Sequence, residues 1–428
     1  MNEAPATFAD SHERMLLATA AWTACGILVF AIAPMTAVAL LPLSVAAPVT
    51  WAWARQGRLR LQRPSAAILG LMLAALYLLL NATWSLSPAA AYSSVAMLFT
   101  SIAAAHITSS ALQDSENALL RTVGLAACAG FIVGSAAVCF EVLNGQWTRA
   151  MLAPYVHGLA ADLNRTETVN GAVILFPSYL LNRSITALAL LFWPAVLLIK
   201  LVSASRRQKG LLLAGLLPVL VAIFRSSHAT SKMAFIAGAA VYALFWISPL
   251  LGRRAVIAGW IAAIFLVVPA ASFAYSKGLH LAEWLPASAR HRVVIWGHAS
   301  AQIGEAPILG IGIASGRALH DPHDPQPKYE PGTTFRTSAL HTHNGYLQTW
   351  YETGAVGALL LLGVGILLWR SLAAADERAQ PYLYAAFTSC AVMAGSSFSL
   401  WAPWFIAAIG FTAVVAVLGW TLHERAAG

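Results

Sequence analysis

Only 10% of the 428 residues are charged, where an average soluble domain carries about a quarter. Acidic groups are the scarcer sign, 17 Asp and Glu against 26 Lys and Arg. So thin a charged population excludes a soluble multidomain enzyme. Cysteine is nearly absent: Cys25, Cys128, Cys139 and Cys390 lie inside apolar runs without metal-type spacing, which argues against a disulfide framework. No Asp-x-Asp or paired carboxylate of metal-binding type occurs in the connections, and the apolar runs almost lack carboxylates, so a proton-coupled pump is without its usual relay. No internal repeat or low-complexity tract supports an inverted-repeat transporter.

What the chain does have is apolar length. Hydrophobic residues make up 59% of it, in runs close to the ~20 residues that cross a ~30 Å hydrocarbon core. The expectation is an all-α, polytopic helical membrane protein, a single integral membrane domain over 1–428. About twelve spans are read, at about 15–34, 36–54, 66–85, 90–110, 120–141, 185–204, 211–224, 233–251, 255–274, 355–371, 382–399 and 403–422. The polar start MNEAPATFADSHER leads into one run followed at once by a second, so the first helix is expected to stay and not to be cleaved as a signal peptide.

The formal charge of +9 does not point to nucleic acid, because Lys and Arg fall mainly in short connections between runs, a topology signal. Arg55, Arg58, Arg60 and Arg63, then Arg206, Arg207 and Lys209, then Arg253 and Arg254 all fall on one side of a twelve-span layout. The positive-inside rule makes that side cytoplasmic, with both termini there. About 15 of the 26 cations then lie inside and about 11 outside, an outer excess that needs another cause. His157 falls in the outer segment of about 142–184, and Lys328 in that of about 275–354. The latter also holds seven of the twelve histidines: His280, His291, His298, His320, His323, His341 and His343. Outer segments of this length are expected to be ordered, to include short helices such as an interfacial one over 293–304, and to cap an active site.

The densest polar constellation is HTHNGYLQTWYETG, His341 to Gly354. In a helical continuation His343, Tyr346, Leu347 and Trp350 share a face. An imidazole at the mouth of the bundle is suited to take a proton from a sugar hydroxyl near neutral pH. A hydrogen-bonded interfacial histidine that only orders the loop fits equally, and His341 with His343, joined by His320 and His323, offers a metal reading without a strong zinc pattern. A second constellation is basic: Arg183, Arg225, Lys232, Arg290 and Arg292 at the outer boundary. Converging guanidinium forks suit a pyrophosphate, while snorkelling to lipid headgroups explains any one of them. Gly310, Gly312 and Gly316 in PILGIGIASG lack the βαβ frame of a nucleotide loop and read as a tight turn bringing backbone close to the membrane or a lipid substrate.

Taken together, RVVIW at 292–296, APILGIG at 306–312, HNGYLQ at 343–348 and ETGAVG at 352–357 resemble the O-antigen ligase and polymerase superfamily of bacterial envelope proteins, in its motif order and ahead of a terminal set of spans. The resemblance implies a cofactor-free, metal-independent, inverting glycosyltransferase of the inner membrane, with undecaprenyl-pyrophosphate-linked O-antigen as donor. Its acceptor in ligases is lipid A core oligosaccharide at the periplasmic face. Membrane lipids are the other partners and nucleic acid is none. His343 matches the family's essential histidine, Arg292 the arginine four before Trp296, and Arg183 the basic position ahead of the middle spans. Where relatives show Ser-Arg, this chain has Ser231 and Lys232 with Arg225 upstream. Asn344, Tyr346, Trp296, Gly310, Gly312 and His341 are expected to support the site. The alternatives are an O-antigen polymerase, a protein-glycosylating ligase and, outside the family, a lipid or solute transporter.

Overall fold

The computed structural model describes residues 8–155, 167–169, 172–174, 176–320 and 328–427. His157 and His323 lie outside the described residues. In hydrocarbon no water meets a backbone N–H or C=O, so an apolar run closes its own hydrogen-bond ladder as a helix. The helices are α1 (Phe8–Ile32), α2 (Ala37–Ser44), α3 (Ala46–Gln56), α4 (Ala66–Asn81), α5 (Pro88–Gln113), α6 (Asn117–Leu143), α7 (Trp147–Leu152), α8 (Asn182–Val202), α9 (Arg206–Ala214), α10 (Leu217–Arg225), α11 (Ala229–Ile247), α12 (Pro249–Ser276), α13 (Ala287–Gln302), α14 (Gly316–Leu319), α15 (Gly345–Ala373), α16 (Gln380–Ser396) and α17 (Pro403–Ala427). A two-stranded antiparallel hairpin, β1 (Glu167–Val169) with β2 (Ala172–Ile174), pairs Glu167 with Ile174.

Among the described residues eleven stretches are long and apolar enough to cross a membrane. The protein is thus polytopic and helical. Two stretches are composite, Pro34–Ala54 built from α2 and α3, and Arg206–Arg225 from α9 and α10. The twelfth expected span, about 382–399, is shorter than its expected range. Its helix α16 stops at Ser396 after 17 residues, a rise of about 25 Å. The run Gly395-Ser396-Ser397 ends it: Ser397 leaves helical geometry at φ −127°, ψ −88°.

The chain forms two compact units, one from the segments up to Gln62, Ala104–Ala239 and from Ala408 on, the other from Arg63–Ala103 and Ala240–Ala407. In the first, α8 is apolar all round and buried on nearly every side from Ser184 to Leu198, as expected of a central helix. Trp193 stacks on Phe235 with ring centroids 6.0 Å apart. The segment after α6 begins in order, since the Glu141 carboxylate accepts the amides of Thr148 and Arg149 at the start of α7.

In the second unit α15 is broken at Gly354, at φ 64°, ψ −165°. The break leaves backbone groups without helical partners, and the turn over 307–312 supplies them. Ala355 and Val356 N–H donate to the carbonyls of Pro307 (2.9 Å) and Ile308 (3.2 Å), while Ile311 and Gly312 N–H donate to those of Tyr351 (3.3 Å) and Glu352 (2.9 Å). Gly354 and Gly310 must both be glycine: each has positive φ, and a Cβ would run into the backbone of Ile308 or Glu352 respectively. The close approach expected of the glycine turn is therefore made to α15, and at Gly312 to Ser85.

The described part of the 275–354 segment is ordered. The expected helix over 293–304 is α13, which begins earlier, at Ala287, and ends at Gln302. Its end is packed: Ala299, with Ile303 just beyond the helix, encloses a small core with Ala271, Leu347 and Tyr351.

Candidate functional site

On α13, Arg292 and Trp296 are one turn apart and share a face. The Trp296 indole N–H donates to the Thr342 carbonyl at 2.8 Å, which fixes the loop immediately before His343. Asn344 caps α15, its side-chain oxygen accepting from the amides of Tyr346 and Leu347 at 3.1 Å each. Asn is among the preferred N-cap residues because its short oxygen reaches the orphan amides of the first turn. Between clamp and cap, His343 is held at φ 54°, in the left-handed region that non-glycine residues visit sparingly.

This geometry corrects the helical-face expectation. His343 precedes α15 and shares no helical face with Tyr346 and Trp350. Tyr346 is buried, with its hydroxyl donating to the Ala391 carbonyl at 2.9 Å, and its ring packs edge-on to Trp260. Trp350 donates from its indole to the Ile264 carbonyl at 2.8 Å. Both rings are engaged in packing within the bundle.

The two histidines have opposite tautomers. His343 Nδ1 lies 3.0 Å from the Ser397 carbonyl. A carbonyl can only accept, so Nδ1 carries the proton and Nε2 keeps a lone pair. His341 Nδ1 instead accepts the His343 backbone N–H at 3.1 Å, so its proton is on Nε2. The rings are 4.1 Å apart. Burial, with the charges of His343, Arg317 and Arg292, pushes His341 down to about 3. Burial also lowers His343 below the ordinary imidazole value; the Ser397 bond opposes this, and the charges of Arg292 and His291 add to it. Both rings are therefore neutral at neutral pH.

Arg292 is half-buried, and burial lowers its pKa, as desolvation does for any cation. No described carboxylate pairs with it. Its charge is felt at both histidines, so a guanidinium without a described counter-ion acts on a neutral base. Arg290 lies over the Phe335 ring at 5.6 Å, with its Nε buried and without a hydrogen-bond partner. Arg183, exposed at the start of α8, Arg225, exposed at the end of α10, and Lys232, half-buried in the first turn of α11, belong to the first unit.

Several residues of the site were not singled out in the sequence. Glu352, 1% exposed, accepts the Ala314 amide at 2.9 Å, the Gly316 amide at 3.2 Å and the Gln348 side-chain amide at 3.2 Å. Asn81 joins the same turn, donating to the Leu309 carbonyl at 2.9 Å and accepting from Ile313 N–H at 2.6 Å. Glu330, 7% exposed, accepts from the Tyr275 hydroxyl at 2.7 Å and from His298 at 2.9 Å, with His280 at 3.6 Å. Burial would raise that carboxyl, but the bonds from His298 and Tyr275 and the two histidine charges together hold it below the usual range. His291 meets the Arg336 carbonyl at 3.1 Å and stacks on Phe335. Three of the segment's histidines therefore fasten the stretch 328–337 to its neighbours, and His320 meets Ser338 at 3.2 Å.

A family model described as O-antigen ligase matches residues 213–362. Over that stretch the chain is similar to the O-antigen ligase family. Every site residue named above from the sequence except Arg183 falls in the matched stretch. Curated proteins from Rickettsia conorii and Rickettsia felis, each named "Putative polysaccharide ligase", are 26% and 27% identical to this chain over 236 and 239 residues. A Rickettsia prowazekii protein of the same description is 31% identical over 123 residues, covering 28% of this chain and 29% of that relative. The first two matches cover 54% of this chain and 56% of each relative, so the chain spans about half the length of the curated relatives it matches.

Proposed function

We propose that this protein ligates O-antigen polysaccharide from undecaprenyl pyrophosphate onto lipid A core oligosaccharide at the periplasmic face of the inner membrane, as an inverting, metal-independent glycosyltransferase. The observation that carries the proposal is the neutral His343, with Nδ1 committed to Ser397 and Nε2 without a described partner, under the charge of an Arg292 that no described carboxylate pairs. Nε2 takes the proton of the acceptor hydroxyl as its oxygen attacks the anomeric carbon. The carbon–oxygen bond to pyrophosphate breaks on the opposite face, which inverts that centre. The electron pair leaves on the phosphate, whose developing charge Arg292 offsets, with Arg290 nearby in sequence. A lipid-linked pyrophosphate already carries its leaving group, so neither nucleotide nor metal is required in this scheme. The loops of about 142–184 and 275–354 are the proposed active-site cap.

The test is transfer in vitro from lipid-linked O-antigen to purified rough lipopolysaccharide. Core-attached polysaccharide is expected, at the same rate with and without EDTA. Lengthening of the donor without a core would make the protein a polymerase, transfer to a polypeptide would make it a protein-glycosylating enzyme, and no glycosidic product at all would remove the proposal.

The Lys and Arg distribution supports a cytoplasmic Arg58 and Arg253 and a periplasmic Lys328. In a background freed of the four native cysteines, an impermeant thiol reagent on intact spheroplasts should label Lys328→Cys and spare Arg58→Cys. The reverse pattern would turn the orientation over.

A further inference from the structure

A cavity of about 210 Å³ lies beside His341, between α13, the stretch 337–342 and the first turns of α15. It is lined in part by His298, Gln302, Lys328, Ser338, His341 and Tyr351. Its polar groups are unevenly committed. Glu352, also in the wall, spends its carboxylate on the amides of Ala314, Gly316 and Gln348. Gln302 spends its carbonyl oxygen on the Tyr351 hydroxyl, at 2.8 Å, which leaves its NH₂. His341 spends Nδ1 on the His343 amide, which leaves Nε2–H. Lys328 adds an exposed ammonium. The groups left over are mostly donors, with His298 Nδ1 an acceptor because its Nε2 serves Glu330, so the cavity suits a polyhydroxyl ligand, which offers both. Its volume fits one ring, not an oligosaccharide or a polyprenyl chain.

We propose that this cavity seats one sugar ring of the acceptor glycan, with His341 as a fixed hydrogen-bond donor to it. The proposal rests on the ligase reading above. It gives the paired histidines separate tasks: His341 grips one ring of the acceptor, and His343, 4.1 Å away ring to ring, takes the proton of the hydroxyl that attacks. A donor-only imidazole beside an acceptor-only imidazole orients a polyhydroxyl ligand in one way.

The test separates grip from loop support. His341→Asn keeps a side-chain oxygen that can accept the amide two residues on, as in an Asx turn, while its shorter side chain withdraws the imidazole Nε2–H from the cavity. Ser338→Trp fills the cavity and leaves both histidines in place. Steady-state transfer to rough lipopolysaccharide should show the acceptor KM raised roughly 3- to 10-fold in His341→Asn, the order of one hydrogen bond, and more in Ser338→Trp. Donor KM and kcat should stay close to wild type. An unchanged acceptor KM, or a loss confined to kcat, would overturn the assignment. Calorimetric titration of the purified full chain with delipidated core oligosaccharide gives an independent arm. Binding by wild type that weakens in both variants supports the cavity even if wild type transfers nothing, the outcome that would sink the ligase reading alone. Equal binding by all three proteins, or none by wild type, removes the cavity as a sugar site.

Discussion

His343→Ala is expected to lower the transfer rate by roughly 10² to 10⁴, the usual worth of a positioned general base, while lipid-linked donor still binds. The expectation rests on a proton inventory. The Ser397 carbonyl fixes the proton on Nδ1, burial keeps the ring neutral, and the left-handed backbone at φ 54° shows the surroundings holding His343 where a residue of its kind does not relax unaided. The sign of the pH dependence follows. A base whose pKa lies below the ordinary imidazole value stays unprotonated to lower pH, so the acid limb of the wild-type rate profile should lie below about 6.5. Initial rates at saturating acceptor, with donor retention measured separately, check both statements. His341→Ala should do less harm under those conditions. Equal loss at His341 and His343 together with inhibition by EDTA would replace the base with a two-histidine metal site, and an active His343→Ala would remove the base outright.

Arg292→Ala should cost transfer on the order of 10², the scale on which loss of one preorganised charge-stabilising donor is felt. Arg292→Lys should recover little, since an ammonium is a point charge without the guanidinium's fork. Lysine does retain the positive charge, and this separates two effects. In Arg292→Ala the nearby charge that lowers His343 is gone, so His343 should titrate at higher pH and the acid limb of the residual rate should move up. In Arg292→Lys that limb should stay near the wild-type position although the rate has fallen. Rate profiles between about pH 5 and 8 read both limbs, and a wild-type rate in Arg292→Ala would reduce the residue to a lipid anchor.

Fold class was legible because it depends on a long-range average. Twenty apolar residues in a row leave few alternatives to a helix, and the spans were misplaced mainly where polar or small residues interrupt them, as at Gly395-Ser396-Ser397. The site was legible as a set of residues and much less as an arrangement. The sequence marks His343, but its pattern extends the helix back through that residue and places Tyr346 on the same face, whereas the structure begins α15 at Gly345. Asn344, a good N-cap directly ahead of the apolar run, was the available signal that the helix begins at Gly345. Glu352 stays inconspicuous when the span is read from about 355, because it then falls in a polar connection. With the helix begun at its cap, a lone carboxylate inside the span would have marked itself as one needing partners. Trp296 holding Thr342, and Ser397 holding His343, join residues 46 and 54 positions apart, and no local pattern encodes such pairs.

The break in α15 ties two distant stretches of chain into one opening event. The amides of Ile311, Gly312, Ala355 and Val356 are shielded only by each other's segments, and Ala314 and Gly316 are shielded by Glu352 between them. None of these can meet water unless the glycine turn and the helix break part together, so in hydrogen exchange they belong to a single cooperative unit. The loop that carries His343 continues directly into that unit through Asn344 and the first turns of α15.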